Sequence, residues 1–139
     1  MRVLRPDLEV WATSYLRDEL RQLGVDAEVD SMEPADMRFP LGRPLVVVRD
    51  DSGPRTSPVG FDASLGVSVL AGSRQDDREA RRIGRLVFAI LSDDDLPLVE
   101  GSPVTAVDYG GCSGPYSVDD PHDVARRYMT ISWAVVGSW

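Results

Sequence analysis

Residues 67–91, VSVLAGSRQDDREARRIGRLVFAIL, change their apolar period in mid-course, and no other feature constrains the fold as strongly. Before the change, Phe61, Ala63, Leu65, Val67 and Val69 alternate with Asp62, Ser64, Gly66 and Ser68. Period two over nine residues is a strand with one wet face. After the Gly-Ser turn, Ala80, Ile83, Gly84, Val87, Phe88 and Leu91 recur at i, i+3, i+4, i+7 spacing, the apolar stripe of a helix. Ser73 to Asp76 and Asp76 to Glu79 both have capping-box spacing, so the helix starts near Ser73 or Asp76. A wet-faced strand feeding an amphipathic helix needs a sheet with helices laid against it.

The rest of the chain supplies those partners. Leu8, Trp11, Ala12, Tyr15, Leu16, Leu20 and Leu23 share one side of a helix expected from Pro6 to Leu23. Pro6 suits its first position, Asp7 and Glu9 suit its positive end, and Gly24 suits its C′ position. Val25, Ala27 and Val29 alternate with acids as a short strand, and residues 31–43, with two prolines and no period, read as a loop. PLVVVRD (44–50) is a buried strand, ended by the turn chemistry of DDSGPRTSP. SPVTAVDYGG (102–111) is a further strand, followed by a Gly/Pro/Ser-rich loop, GGCSGPYSVDDPH. Met129, Ile131, Trp133 and Val135 mark the inner face of a long final strand over 124–137. There is no internal repeat and no linker, and 139 residues suit one core. The expectation is therefore one α+β domain over 1–139, in the order α-β-β-β-α-β-β. Its sheet is mostly antiparallel, of about five strands, with both helices on one face.

Composition removes several function classes. The longest apolar runs, such as Leu45 to Val48, are too short to span a bilayer, so no membrane partner is expected. The N-terminal Met-Arg-Val-Leu-Arg-Pro-Asp has no apolar h-region, so no Sec export is expected. A single cysteine, Cys112, excludes an intrachain disulfide and any multi-cysteine zinc site. With a net charge of −8 the chain as a whole repels nucleic acid, although an acidic wall lets DNA slide past. All fifteen basic side chains are arginine, and lysine and asparagine are absent. Every codon for those two residues begins with two adenines, which points to a GC-rich genome.

The candidate functional residues are charges, not catalytic groups. Arg78, Arg81, Arg82 and Arg85 lie within an arc of about 100° opposite the Val87 stripe. One reading is a solvated helix face. The other is an interface in which arginine forks pair with carboxylates of a neighbouring subunit, and the chain offers 23 acids. Arg74, Arg78, Arg81, Arg82, Arg85 and the terminal Trp139 are thus the subunit-interface candidates; Trp139 packs on a neighbour or docks within its own domain. The acids of SDDDLP (92–97) stand at the wrong end of the helix dipole, either kept for another purpose or part of a solvated loop. His122 with Asp119, Asp120 and Asp123 has no metal-ligand spacing, and Cys112 with His122 is a weak nucleophile pair. GGCSG lacks the lysine of a phosphate loop, and the aromatics are too scattered for a base-stacking platform. No catalytic, cofactor or metal residue is assigned.

The strand-Gly-Ser-Arg-helix junction VLAGSRQDDREARRIGRLVFAIL and the closing ARRYMTISWAVVG carry a resemblance. With the N-terminal amphipathic helix and the order of elements, the chain resembles the tail-terminator (tail completion) proteins of long-tailed double-stranded DNA phages. The likeness is strongest to those infecting GC-rich actinobacteria. The resemblance implies a small α+β domain that closes into a hexameric ring in the virion, after synthesis in the bacterial host cytoplasm. It implies partners too: copies of itself, the last ring of tail-tube protein whose growth it stops, and the head-side connector. DNA passes through the hole without specific binding, and neither enzyme activity nor a cofactor is implied. The proline-rich 31–43 and glycine-rich 110–117 segments depart from the pattern and are candidates to face tube or connector. Another neck or head-completion protein is the near alternative. From a different class, the alternative is a small enzyme or ligand-binding domain using the 110–123 loop.

Overall fold

The computed structural model describes residues 1–139. Helix α1 spans Leu8–Gln22, strands β1, β2 and β3 span Glu28–Asp30, Leu45–Asp50 and Gly60–Ala71, and helix α2 spans Arg78–Leu91. Strands β4, β5 and β6 follow at Val104–Val107, Ser113–Val118 and Ala125–Val136, with single 3-10 turns at Leu96–Leu98 and Tyr109–Gly111. The fold is the expected α+β domain with a mostly antiparallel sheet. No helix is long and apolar enough to cross a membrane.

β3 and β6 form the spine, pairing antiparallel from Gly60↔Val136 to Ala71↔Ala125. β2 flanks β3 antiparallel, and β1 joins β2 in the sheet's one parallel pairing. On its other side β6 takes two partners in succession: β5 along Arg126–Thr130 and β4 along Trp133–Val135. The sheet therefore has six strands in five positions, one strand more than the alternation suggested. The extra strand lies in the segment read as a Gly/Pro/Ser-rich loop. Pro115 masks it in the sequence, yet proline is tolerated on an edge strand, and the register shifts between Ser113 and Tyr116. Gly114, at φ 111°, is required there, since a Cβ would come within 2.8 Å of the Tyr128 carbonyl oxygen.

Both helices cover the inner face. Leu8, Ala12, Leu16 and Leu20 of α1 and Ile83, Val87 and Leu91 of α2 pack on Val46 and Val48, on Leu65, Val67 and Val69, and on Met129, Ile131 and Trp133. The Trp133 indole N–H donates to the Leu91 carbonyl at 2.8 Å, satisfying one orphan acceptor at the C-terminus of α2. Trp11 stacks on Tyr15 and meets Trp133 edge-on. On the outer face, Leu45, Leu70 and Val124 form a small second core covered by Met37, Phe39 and Leu41. The 31–43 segment is thus a cover for the sheet along part of its length.

The helix ends differ from expectation at two of the four, the start of each helix. α1 begins at Leu8 because Asp7 caps it, its carboxylate accepting the Val10 N–H at 3.1 Å, and Pro6 stays outside. Its far end is as expected. Gly24, at φ 74°, donates to the Arg21 carbonyl, and Val25 donates to the Leu20 carbonyl, the paired bonds of a Schellman motif. That use of Val25 also shortens β1 to three residues. α2 begins at Arg78, because Ser73 and Asp76 close a tight turn on each other through reciprocal backbone bonds. Its end at Leu91 matches the apolar stripe, but no basic residue occupies the last turn.

Trp133→Phe removes an indole N–H and volume from a site that is 1 % exposed, and leaves the Leu91 carbonyl unpaired. The expected loss of stability is about 2–4 kcal/mol, seen as a lower urea midpoint at unchanged slope.

Candidate interaction surface

α2 has one face in the core and one in water, and the division follows its sequence. Ala80, Ile83, Gly84, Val87 and Leu91 are buried, whereas Arg78, Arg81, Arg82, Arg85 and Ala89 are exposed. Gly84 lets the helix sit close to the sheet: a Cβ there would already be 3.4 Å from Pro115 and 3.5 Å from the Arg127 side chain.

Their charges have different fates. Arg78 pairs with Asp76 at 3.0 Å, and Arg81 with Asp77 at 3.2 Å. The fork and backbone N–H of Arg78 hold the Asp76 carboxyl at about 2, well below the usual range. Asp77 also takes the Arg127 guanidinium at 2.6 Å, which explains why this N-cap residue makes no capping bond with its side chain. Arg74 is tied down within the chain, donating to the His122 and Asp120 carbonyls while its backbone N–H meets the Asp123 carboxylate. The side chains of Arg82 and Arg85 make neither an ion pair nor a hydrogen bond within the chain. Of the five arginine candidates, these two are free. The acids that neutralise Arg78 and Arg81 lie in the Asp-Asp before the helix, and the i, i+4 spacing of Asp77 and Arg81 was the available signal.

Trp139 does not dock on its own domain. Ser138 bridges to Leu4 through paired backbone bonds of 2.7 and 2.9 Å, and the Trp139 side chain beyond it is 72 % exposed. Leu4 is equally exposed at 72 %.

The residues weighed for chemistry are separated or already occupied. Cys112 lies beside Ser132, whose backbone N–H approaches its sulfur at 3.4 Å, and partial burial raises its thiol pKa. His122 precedes the other end of β6, so the stretch from Ala125 to Ser132, about 23 Å long, lies between the two residues. The ring of His122 stacks on Phe39 at 4.3 Å, and its Nδ1 is 2.8 Å from Asp120 Oδ1. Arg126 takes the other Asp120 oxygen at 3.1 Å and reaches Glu33 at 2.6 Å and Ser68 at 3.3 Å. This network ties the 31–43 cover and the 119–123 turn to β3 and β6. A different group, Asp93, Asp94 and Asp95, brings three exposed carboxylates within 4.8 Å of one another just past α2.

Partial burial pushes the Asp120 carboxyl up, but hydrogen bonds from the His122 N–H and ring and from Arg126 outweigh it, and the net shift is downward. A depressed carboxyl gives stability that is full above its unfolded value, about 3.9, and is lost as pH falls through the folded value. Below about pH 4, stability of the parent chain is therefore expected to fall more steeply than that of Asp120→Asn. Urea midpoints across the acid range check this; parallel curves for the two chains refute the assignment. No family model matches the chain and no curated protein matches it, which leaves the arrangement of these side chains as the ground for a functional reading.

Proposed function

We propose that this chain is a structural assembly protein: a phage tail terminator that closes into a hexameric ring, caps the tail tube and joins it to the head-side connector. The observation that carries the reading is the free arginine pair, Arg82 and Arg85, on an exposed helix face of a chain with a net charge of −8. A solvated helix face gains little from two like charges one turn apart, whereas a neighbouring copy offers carboxylates in excess. Segregated charge of both signs favours head-to-tail contacts, which make rings when the rotation closes. An acidic wall suits a lumen through which DNA moves without sticking. The resemblance in the 69–91 junction and the final strand supplies the identity of the ring's partners. In this reading the protein works in the virion at the tail–head junction, without turnover and without a cofactor.

Mixing the purified chain with polymerising tail-tube protein is expected to yield capped tubes of uniform length, with annuli at one end in negative-stain images. Tubes that grow to the same length distribution with and without the chain, and carry no cap, overturn the proposal.

A further inference from the structure

The free arginines have a counterpart past the end of their own helix. At 100° per residue, Arg78, Arg82, Arg85 and Ala89 fall within about 60° of one another, and all four are exposed. Past Leu91 come Asp93, Asp94 and Asp95, all exposed, with no arginine paired to any of them in the chain. They sit at the negative end of the α2 dipole, and the last turn holds no basic residue to offset them. Like charges this close repel one another, so the arrangement is unfavourable in an isolated copy. Arg85 cannot relieve it, because eight residues of helical rise, about 12 Å, separate it from Asp93. Tyr109 stands beside the same acids, 61 % exposed, its phenol pKa raised by partial desolvation and then by Asp94 and Asp93.

We propose that Arg82 and Arg85 of one copy dock on Asp93, Asp94 and Asp95 of a second copy. This rests on the self-assembly reading above and names the surface that the arginine face meets. Guanidinium forks match carboxylates two bonds at a time, and the exposed Tyr109 ring offers a face for a guanidinium to cover. The same cations complement the C-terminal end of the neighbour's helix. Ala89, the smallest side chain of the stripe, lets the neighbour approach closely beside the arginines. Donor and acceptor occupy different parts of the surface, one along the side of α2 and one past its end. Each copy then keeps an unused half until the chain of contacts closes. Single exposed pairs are weak, so the contact depends on several together and weakens as salt screens them.

The test compares three full-length chains by sedimentation velocity at low and high salt. These are the parent, Arg82→Glu/Arg85→Glu, and Asp93→Arg/Asp94→Arg/Asp95→Arg, each checked for native far-UV circular dichroism. The parent is expected to self-associate at low salt and to dissociate at high salt. Each variant alone is expected to associate at least about tenfold more weakly. An equimolar mixture of the two variants is expected to recover association, because each brings the charge that the other has lost. A parent that stays monomeric at low salt, variants that associate like the parent, or a folded mixture that stays apart overturns the contact. Failure of the terminator reading is distinct: the parent then associates through this surface and still leaves tail tubes uncapped.

Discussion

The pairing of β3 with β6 is the constraint on which the rest of the structure depends. Twelve cross-strand pairs run without interruption from Gly60↔Val136 to Ala71↔Ala125. Both strands put large apolar side chains on the same face: Leu65, Val67 and Val69 on one, Met129, Ile131 and Trp133 on the other. A slip of one residue would turn either set toward water, so burial on one side fixes the register. β2 is placed by β3, β4 and β5 are placed by β6, and both helices rest on the surface that the pair presents. The arginine stripe is exposed because the opposite side of α2 is committed to this surface.

Polar side chains at the far end of the pair serve more than one element. Asp77 takes both Arg81 of its own helix and Arg127 of β6, so the start of α2 is fixed to the sheet through charge instead of a capping bond. Asp120 holds His122 and Arg126, and Arg126 holds Glu33 in turn. Three segments distant in sequence are thereby fastened around the N-terminal end of β6. These shared acceptors occupy Arg81, Arg126 and Arg127, whereas the side chains of Arg82 and Arg85 stay unpaired.

What the sequence made legible was whatever depends on period and on local caps. The inner faces of β3 and β6 and the apolar stripe of α2 appear in the structure as read, because each is a repeated burial pattern over nine or more residues. The other face of β3, expected to be wet, is exposed only at Asp62, because Tyr128 and Arg126 of the neighbouring strand lie over Gly66 and Ser68, which are buried. Gly24 was legible because a left-handed C′ residue is a local requirement. β5 was hidden, since Gly114 and Pro115 are loop residues by composition and only the neighbouring β6 makes them a strand. The start of α2 is not legible in the sequence, because Ser73 and Asp76 have capping spacing but satisfy each other in a tight turn. On the surface, sequence gathered Arg74, Arg78, Arg81, Arg82 and Arg85 together. Only distances in three dimensions divide those whose donors are used within the chain from the two that are free.

The two margins of the sheet are both poor templates for another chain. β1 is three residues long and joined in parallel, while the opposite margin is split between β4 and β5, broken by register shifts and interrupted by Pro115. Backbone donors and acceptors there cannot recruit a long foreign strand. Copies of this molecule at high local concentration are thus steered away from fibril-like stacking, and whatever recognition they achieve must be written in side chains, where it remains reversible.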